Sequence, residues 1–286
     1  MPFYLGPVGN LQALPYMARG ATAALDFPGE THTLLSGARY RHQVGDPRRT
    51  YTMARQMLTH DEAAVVEALA LGAYGPGPFA LIDPWRRNML TANQSTGTDA
   101  GADPAGFYAA TGTLASSTTQ AEVGARSLSW TVTASGQELR VSGSSSANAD
   151  PAFDVPVLPS TAYVFKVRVR SLATVSVTAR LYWFSTSGAS LSSVTSSNVS
   201  STSAGWATVT ISGTSPAGAA LARPAVRTAS AASTTVFVDQ AQLEAGSSAS
   251  GWTPGTGVPR VVFEALGDSY PLVDRHDVDV TLVEVG

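Results

Sequence analysis

The chain has no cysteine, and Lys166 is its only lysine. Without cysteine there is no disulfide, no thiolate-bound zinc and no thiol nucleophile. Charged residues are 14% of the 286, and the net charge is −3. No basic field therefore draws in nucleic acid or an anionic membrane surface, and neither is expected as a partner. An apolar fraction of 44% with so little net charge also argues against a disordered chain. No apolar run approaches the ~20 residues of a membrane-spanning helix. The opening MPFYLGPVGN (1–10) lacks a basic segment followed by an apolar one, so no signal peptide is expected and synthesis is expected in the cytosol.

The charge that is present is unevenly placed. Residues 91–257 hold sixteen charged side chains, whereas the shorter flanks 1–90 and 258–286 hold twenty-three between them. The middle also carries the Ser/Thr tracts, such as SGSSSANAD (142–150) and SSVTSSNVSSTSAG (192–205). A flank–middle–flank alternation of composition predicts one domain inserted into another, which surface loops accept when their ends lie close together. In FALIDPWRRNML (79–90) the chain leaves the first core. Phe79–Ile82 reads as a strand, Asp83-Pro84 ends it, and Trp85 is expected to seal the junction.

In the first flank, TAALDF (22–27), THTLL (31–35) and RRTYTMARQML (48–58) read as strands. In the last of these Tyr51, Met53 and Met57 share a face. THDEAAVVEALALG (59–72) reads as a helix: Thr59 and Glu62 form a capping box, Val65, Val66, Leu69 and Ala70 the apolar stripe, and Gly72 the stop. The last flank reads as two or three strands, with Val278, Val280 and Leu282 on one face. It is too short for a core of its own and must pair with the first. The expected fold class is mainly β: an α+β sandwich with one helix, split by an all-β jelly-roll sandwich.

The middle supplies strands at 125–135, 161–171, 174–185, 205–213 and 234–246. In the second of these Tyr163, Phe165, Val167 and Val169 alternate with Val164, Lys166, Arg168 and Arg170. In the third Val175, Val177, Ala179, Leu181 and Trp183 alternate with Ser176, Thr178, Arg180, Tyr182 and Phe184. Trp130 and Trp183 fall on the apolar faces and are assigned to the core, while Trp206 and Trp252 fit either role.

Catalytic signatures are sparse. The four histidines, His32, His42, His60 and His276, show no metal-ligand spacing and read as surface or turn residues. No nucleophile elbow or phosphate-binding glycine loop occurs, and the prolines of GAYGPGPF (72–79) remove the backbone donors that a phosphate needs. Asp239 and Glu244 are the pair a glycosidase would need. The blander reading, a strand end and a turn, is preferred, so no enzyme is expected. Asp239 is also the candidate ligand of a structural calcium; no other cofactor is expected.

The better candidate is a surface. If strands 161–171 and 174–185 are neighbours, then Lys166, Arg168, Arg170, Arg180, Tyr182 and Phe184 form one patch of rings and planar donors. Sugars are bound that way, ring against C–H face and donor against hydroxyl. The competing reading is a solvated face of long side chains packed across strands.

These residues carry a resemblance. TYTMARQMLTHDEAAVVEALALGAYGPGPFALIDPWRRNML and the closing HDVDVTLVEVG resemble the split domain of minor tail proteins of siphophages of actinobacteria, similar in turn to distal tail proteins. The middle resembles a jelly-roll carbohydrate-binding module, best at FVDQAQLEAGSSASGWTPG (237–255). The resemblance implies a virion protein at the phage tail tip, assembled as a ring of commonly six copies. Its partners would be tail-tube and tail-tip proteins, and the inserted module would face host cell-wall polysaccharide. The alternative is a non-catalytic glycan-binding module of secreted carbohydrate-active machinery.

Overall fold

A computed structural model describes residues 2–15, 21–43, 47–98, 101, 104–230 and 233–285. In chain order the elements begin with β1 (Tyr4–Gly6), β2 (Gln12–Ala13), β3 (Thr22–Asp26), β4 (Gly29–Thr33), β5 (Arg39–Gln43) and β6 (Arg48–Leu58). Helix α1 (His60–Ala70) and β7 (Phe79–Ile82) follow. Next come α2 (Ala92–Ser95), β8 (Tyr108–Ala109), β9 (Leu114–Ser117), β10 (Ser127–Val132), β11 (Glu138–Arg140) and β12 (Val155–Pro156). Then come β13 (Ala162–Ser171), β14 (Val175–Phe184), β15 (Ser190–Thr195), β16 (Val199–Ser201) and β17 (Ala207–Thr214). The last elements are β18 (Leu221–Thr228), β19 (Thr234–Ala245), β20 (Arg260–Leu272) and β21 (Arg275–Glu284). The fold is mainly β, as expected. No helix among the described residues is long and apolar enough to cross a membrane.

The chain divides into two compact units, 1–84 with 259–286, and 85–258. Residues 85–90 therefore fall with the second unit, not the first, and Trp85 is exposed rather than a buried seal.

The first unit is an antiparallel sheet in the order β2-β1-β7-β20-β21-β6-β3, with a separate hairpin β4-β5. Helix α1 lies on it through Ala63, Val66 and Leu69, which join Tyr51, Met53, Val278, Val280 and Leu282 in one core. The capping box forms: Glu62 N donates to Thr59 Oγ1, and Thr59 N donates to Glu62 Oε2 at 2.9 Å. The Glu62 carboxyl is held below its ordinary value, first by that backbone bond and then by the Thr59 hydroxyl.

Strand β6 departs from strict alternation. Met57 has φ +61 and is exposed, while Leu58 is buried. The pairing jumps from Val278↔Arg55 to His276↔Leu58. An extra residue at this bulge resets the phase and turns Met57 outward, where its N–H donates to Asp277 Oδ1 at 2.8 Å.

The second unit is a two-sheet sandwich of jelly-roll type. One sheet runs β17-β13-β19-β10-β9; the other runs β15-β14-β18-β11-β8, with β12 beside β18 and β16 beside β14. Trp130, Tyr163, Phe165, Val167, Leu181, Trp183 and Val226 fill the space between. Tyr163 and Trp183, from opposite sheets, have ring centroids 5.7 Å apart. Trp206 and Trp252 are only partly buried.

Entry and exit of this unit are tied together by Asn88, which is 1% exposed. Its Nδ2 donates to Ser95 Oγ, Ala241 O and Thr253 O, and its Oδ1 accepts from Leu90 N and Leu243 N. Gly257 N donates to Leu90 O, and a Cβ at Gly255 would lie 2.4 Å from Leu90 O and Thr91 O. Only glycine permits that approach.

Candidate functional site

The strands carrying the expected patch are not neighbours. β13 pairs with β17 and β19, β14 with β15, β16 and β18. They stand in opposite sheets, so their outward faces look away from each other and the single patch of six side chains does not form. Lys166, Arg168 and Arg170 are on the outside of the five-stranded sheet, each already engaged. Lys166 Nζ donates to Ser250 O. Arg168 pairs with Glu122 at 2.7 Å and donates to Thr208 Oγ1, and Arg170 donates to Ser203 O. These three hold loops against the sheet.

Asp239 and Glu244 do the same. Asp239 lies in the middle of β19 and Glu244 is its last residue but one, so neither is in a turn. Gln240, with φ +49, forms a bulge that shifts the register from Arg168↔Asp239 to Lys166↔Gln242, leaving Asp239 fully buried on the loop-covered side. Its Oδ2 accepts from Glu122 N at 2.8 Å and Val123 N at 3.1 Å, and its Oδ1 accepts from Gln240 N at 2.7 Å. Oxygens spent on backbone donors are not presented to calcium. Among the described residues no group of three His, Cys, Asp or Glu could hold a metal. Glu244 accepts from Ser250 N and Ser250 Oγ. Neither the metal role of Asp239 nor the paired role of Asp239 and Glu244 matches this geometry.

The outward face of the other sheet also has engaged arginines, Arg180 Nε and Nη2 donating to Ser193 Oγ and Arg140 Nη1 to Ser145 O and Ser146 O, but here rings and guanidinium groups lie together. Register places Arg180 beside Ala225, Tyr182 beside Arg223, Arg140 beside Ala225 and Tyr108 beside Arg140. Tyr182 gives its hydroxyl proton to Glu138 Oε2 in a short bond. Arg140 Nε donates to Glu138 Oε1 at 3.3 Å, and Arg180 Nη1 stands 4.0 Å from Glu138 Oε2. The Arg180 guanidinium lies 4.6 Å from the Tyr182 ring centre, and that of Arg140 lies 5.6 Å from the Tyr108 ring centre. Burial, then the bond to Glu138 and its charge, push the Tyr182 hydroxyl up to about 12, so it remains a donor throughout the physiological range.

This face has a closed end and an open end. At the closed end Phe184 is 2% exposed and so is unavailable to a ligand, contrary to expectation. Arg223 lies 5.0 Å from its ring and forms a buried bidentate pair with Asp154, Nε–Oδ1 2.8 Å and Nη2–Oδ2 2.7 Å. Arg223 also donates to Ser146 O and Asn148 O, pinning the 142–154 loop as a roof. At the open end a cavity of about 390 Å³ is lined by Ser135, Thr178, Thr195, Ser196, Asn198 and Arg227, among others.

Of the expected site residues, Arg180 and Tyr182 lie together on this open surface. Sequence reasoning missed Tyr108, Glu138, Arg140 and Arg227. LARPAVRT (221–228) alternates correctly for a strand, but Pro224 argues against a central one. The structure accommodates it: Pro224 O accepts from Val141 N, one residue beyond the end of β11. The absent N–H points to where that short strand stops, so the ladder to β14 loses nothing.

The first unit holds a second polar cluster that sequence separation concealed. His276 is buried, not on the surface. Its Nε2 is 3.3 Å from His60 Nδ1, its Nδ1 is 3.0 Å from Asp268 Oδ2, and its ring is 4.7 Å from that of Tyr270.

No family model and no curated protein matches the chain. Solved structures do. The CBM22-1 xylan-binding domain from Paenibacillus barcinonensis Xyn10C is 13% identical at TM-score 0.41, covering 55% of this chain and 96% of that one. The C-terminal family 22 carbohydrate binding module of Clostridium thermocellum Xyn10B is 17% identical at TM-score 0.42, covering 55% and 98%. The enzymatically active domain of bacteriophage CBA120 tailspike protein 4 is 12% identical at TM-score 0.42, covering 58% of this chain and 22% of that one. At these identities and scores, fold and site rest on this chain's own strands and side chains.

Proposed function

We propose that the second unit binds glycan on the outward face of the sheet β15-β14-β18-β11-β8. The observation that carries this reading is the grouping of Tyr182 and Tyr108 with Arg180 and Arg140 around Glu138. It combines aromatic surface for the C–H face of a sugar with planar guanidinium groups that Glu138 holds in place beside it, for the sugar's hydroxyls. Titration calorimetry with host cell-wall polysaccharide is the test. Tyr182→Ala and Arg180→Ala are expected to weaken binding at least tenfold, a loss of ~1.4 kcal/mol, while Lys166→Ala and Arg168→Ala leave it intact. The reverse pattern would put the site on the other sheet, and binding to no glycan would end the proposal.

We further infer that the chain works in a virion, as a minor tail protein forming a ring at a phage tail tip beside tube and tip proteins. The resemblance of both flanks supports this, and so does an exposed apolar surface in the first unit. Both strands of hairpin β4-β5 are exposed where described, as are Leu34, Leu35 and Tyr40, and Leu25 and Phe27 on and beside edge strand β3 are exposed too. A two-stranded hairpin is marginal alone, and an exposed edge invites pairing. Mass photometry and negative-stain imaging are expected to show closed rings that Leu35→Asp with Tyr40→Asp disperses. A wild-type monomer at high concentration argues against the ring. The alternative, a module of secreted carbohydrate-active machinery, predicts that antibody finds the protein in culture supernatant and not on particles.

A further inference from the structure

The cavity at the open end of the glycan face differs chemically from the Tyr182 platform beside it. Its lining includes Ser135, Thr178, Thr195, Ser196, Asn198 and Arg227. Among the described residues Arg227 is its only ionisable group, and no carboxylate lines it. Among the described residues the Arg227 side chain makes one hydrogen bond, from Nε to Gly136 O at 3.4 Å, and has no ion pair. The carboxylate that could have neutralised it is close by: Glu138 is its cross-strand partner in register. Glu138 instead turns to Arg140, Tyr182 and Arg180. A half-buried guanidinium with unspent donors, ringed by hydroxyls and an amide, is built to receive an anionic oxygen group.

We propose that this cavity is a subsite for a negatively charged substituent of the glycan, a uronate carboxylate or a phosphodiester, so that the face selects acidic over neutral polysaccharide. The inference rests on the glycan-binding reading above. Arg227 supplies the fork of donors to the anion. Thr178 and Thr195, on the neighbouring strands β14 and β15, supply hydroxyls beside it, and the Tyr182 ring lies further along the same face. A net charge of −3 over the whole chain gives no general attraction for anions, so selectivity comes from this one site.

Calorimetry of the full chain decides it, using oligouronate, a glycerol-phosphate polymer and a neutral β-linked oligosaccharide of matched length. Wild type is expected to favour at least one acidic ligand by roughly tenfold, as charge-assisted bonds allow, with the preference shrinking as salt rises. Preference for the first identifies a carboxylate, and for the second a phosphate. Arg227→Gln is expected to erase the preference while keeping neutral binding, and Arg227→Lys to keep part of it; unchanged melting shows that both remain folded. Tyr182→Ala lowers all three affinities together. Neutral binding without acidic preference, or a preference that survives Arg227→Gln, overturns the subsite but leaves the glycan face standing. Absence of binding to all three overturns both.

Discussion

Tyr182 links the chemistry of the face to its stability. Its hydroxyl is raised to about 12, chiefly by burial and then by the bond to Glu138, against an ordinary tyrosine value near 10. A group whose folded pKa exceeds its unfolded one contributes stability that is complete below the unfolded value and is lost as pH climbs through the folded one. Thermal melts are therefore expected to hold steady to about pH 10 and to fall between about 10 and 12. Tyr182→Phe is expected to flatten that decline; an equally steep fall in the variant would separate the hydroxyl from it. Arg223 is the opposite kind of residue, fully committed and out of reach. Arg223→Ala strands the Asp154 carboxylate and two loop carbonyls, and is expected to cost about 3–5 kcal/mol in urea unfolding. Asn88→Ala is expected to cost about 3 kcal/mol, because two buried N–H groups and three acceptors lose a partner.

At the scale of elements, legibility tracked locality. The capping box of α1 needs only Thr59 and Glu62, three residues apart, so the helix could be read directly, and β6 and β7 have the bounds their patterns gave. The bulges at Met57 and Gln240 could not be read, since an extra residue is defined only against a partner strand. Alternation alone therefore puts Met57 on the apolar face, and the bulge turns it outward. The bulge at Gln240 bears on calcium. With Asp239 spent on the N–H groups of Glu122, Val123 and Gln240, neither added calcium nor a chelator is expected to move the melting temperature. Asp239→Ala is expected to loosen the 120–126 loop, read as faster amide exchange there. A calcium-dependent rise in melting temperature that this substitution removes would restore the metal role. The strands expected from the sequence do not include 221–228, and β18 tolerates Pro224 because the neighbour on its N–H side has already ended.

At the scale of the molecule, each unit closes on itself near the junction. In the first unit Leu81 N donates to Pro259 O and β7 pairs with β20; in the second Asn88 and Gly257 join the chain's entry to its exit. Residues 85–258 expressed alone are expected to unfold cooperatively and keep the glycan affinity of the full chain. A molten product, or a folded one that binds no glycan the full chain binds, would mean that the site needs the other unit.

The sequence by itself determined the class: mainly β, with strands whose period-two alternation marks one face for the core, and a helix whose ends are written in its caps. It also supplied Arg180 and Tyr182, because alternation alone turns them outward from β14. Tertiary structure decided which outward faces belong together. A one-dimensional pattern fixes the face of each strand, but not which sheet the strand joins. Consecutive strands β13 and β14 cross between sheets, and that single step separates Lys166, Arg168 and Arg170 from Arg180 and Tyr182. It brings Tyr108, Glu138 and Arg140 to the face of Tyr182 instead, with Arg227 further along it, from stretches as far as 74 residues away in the chain.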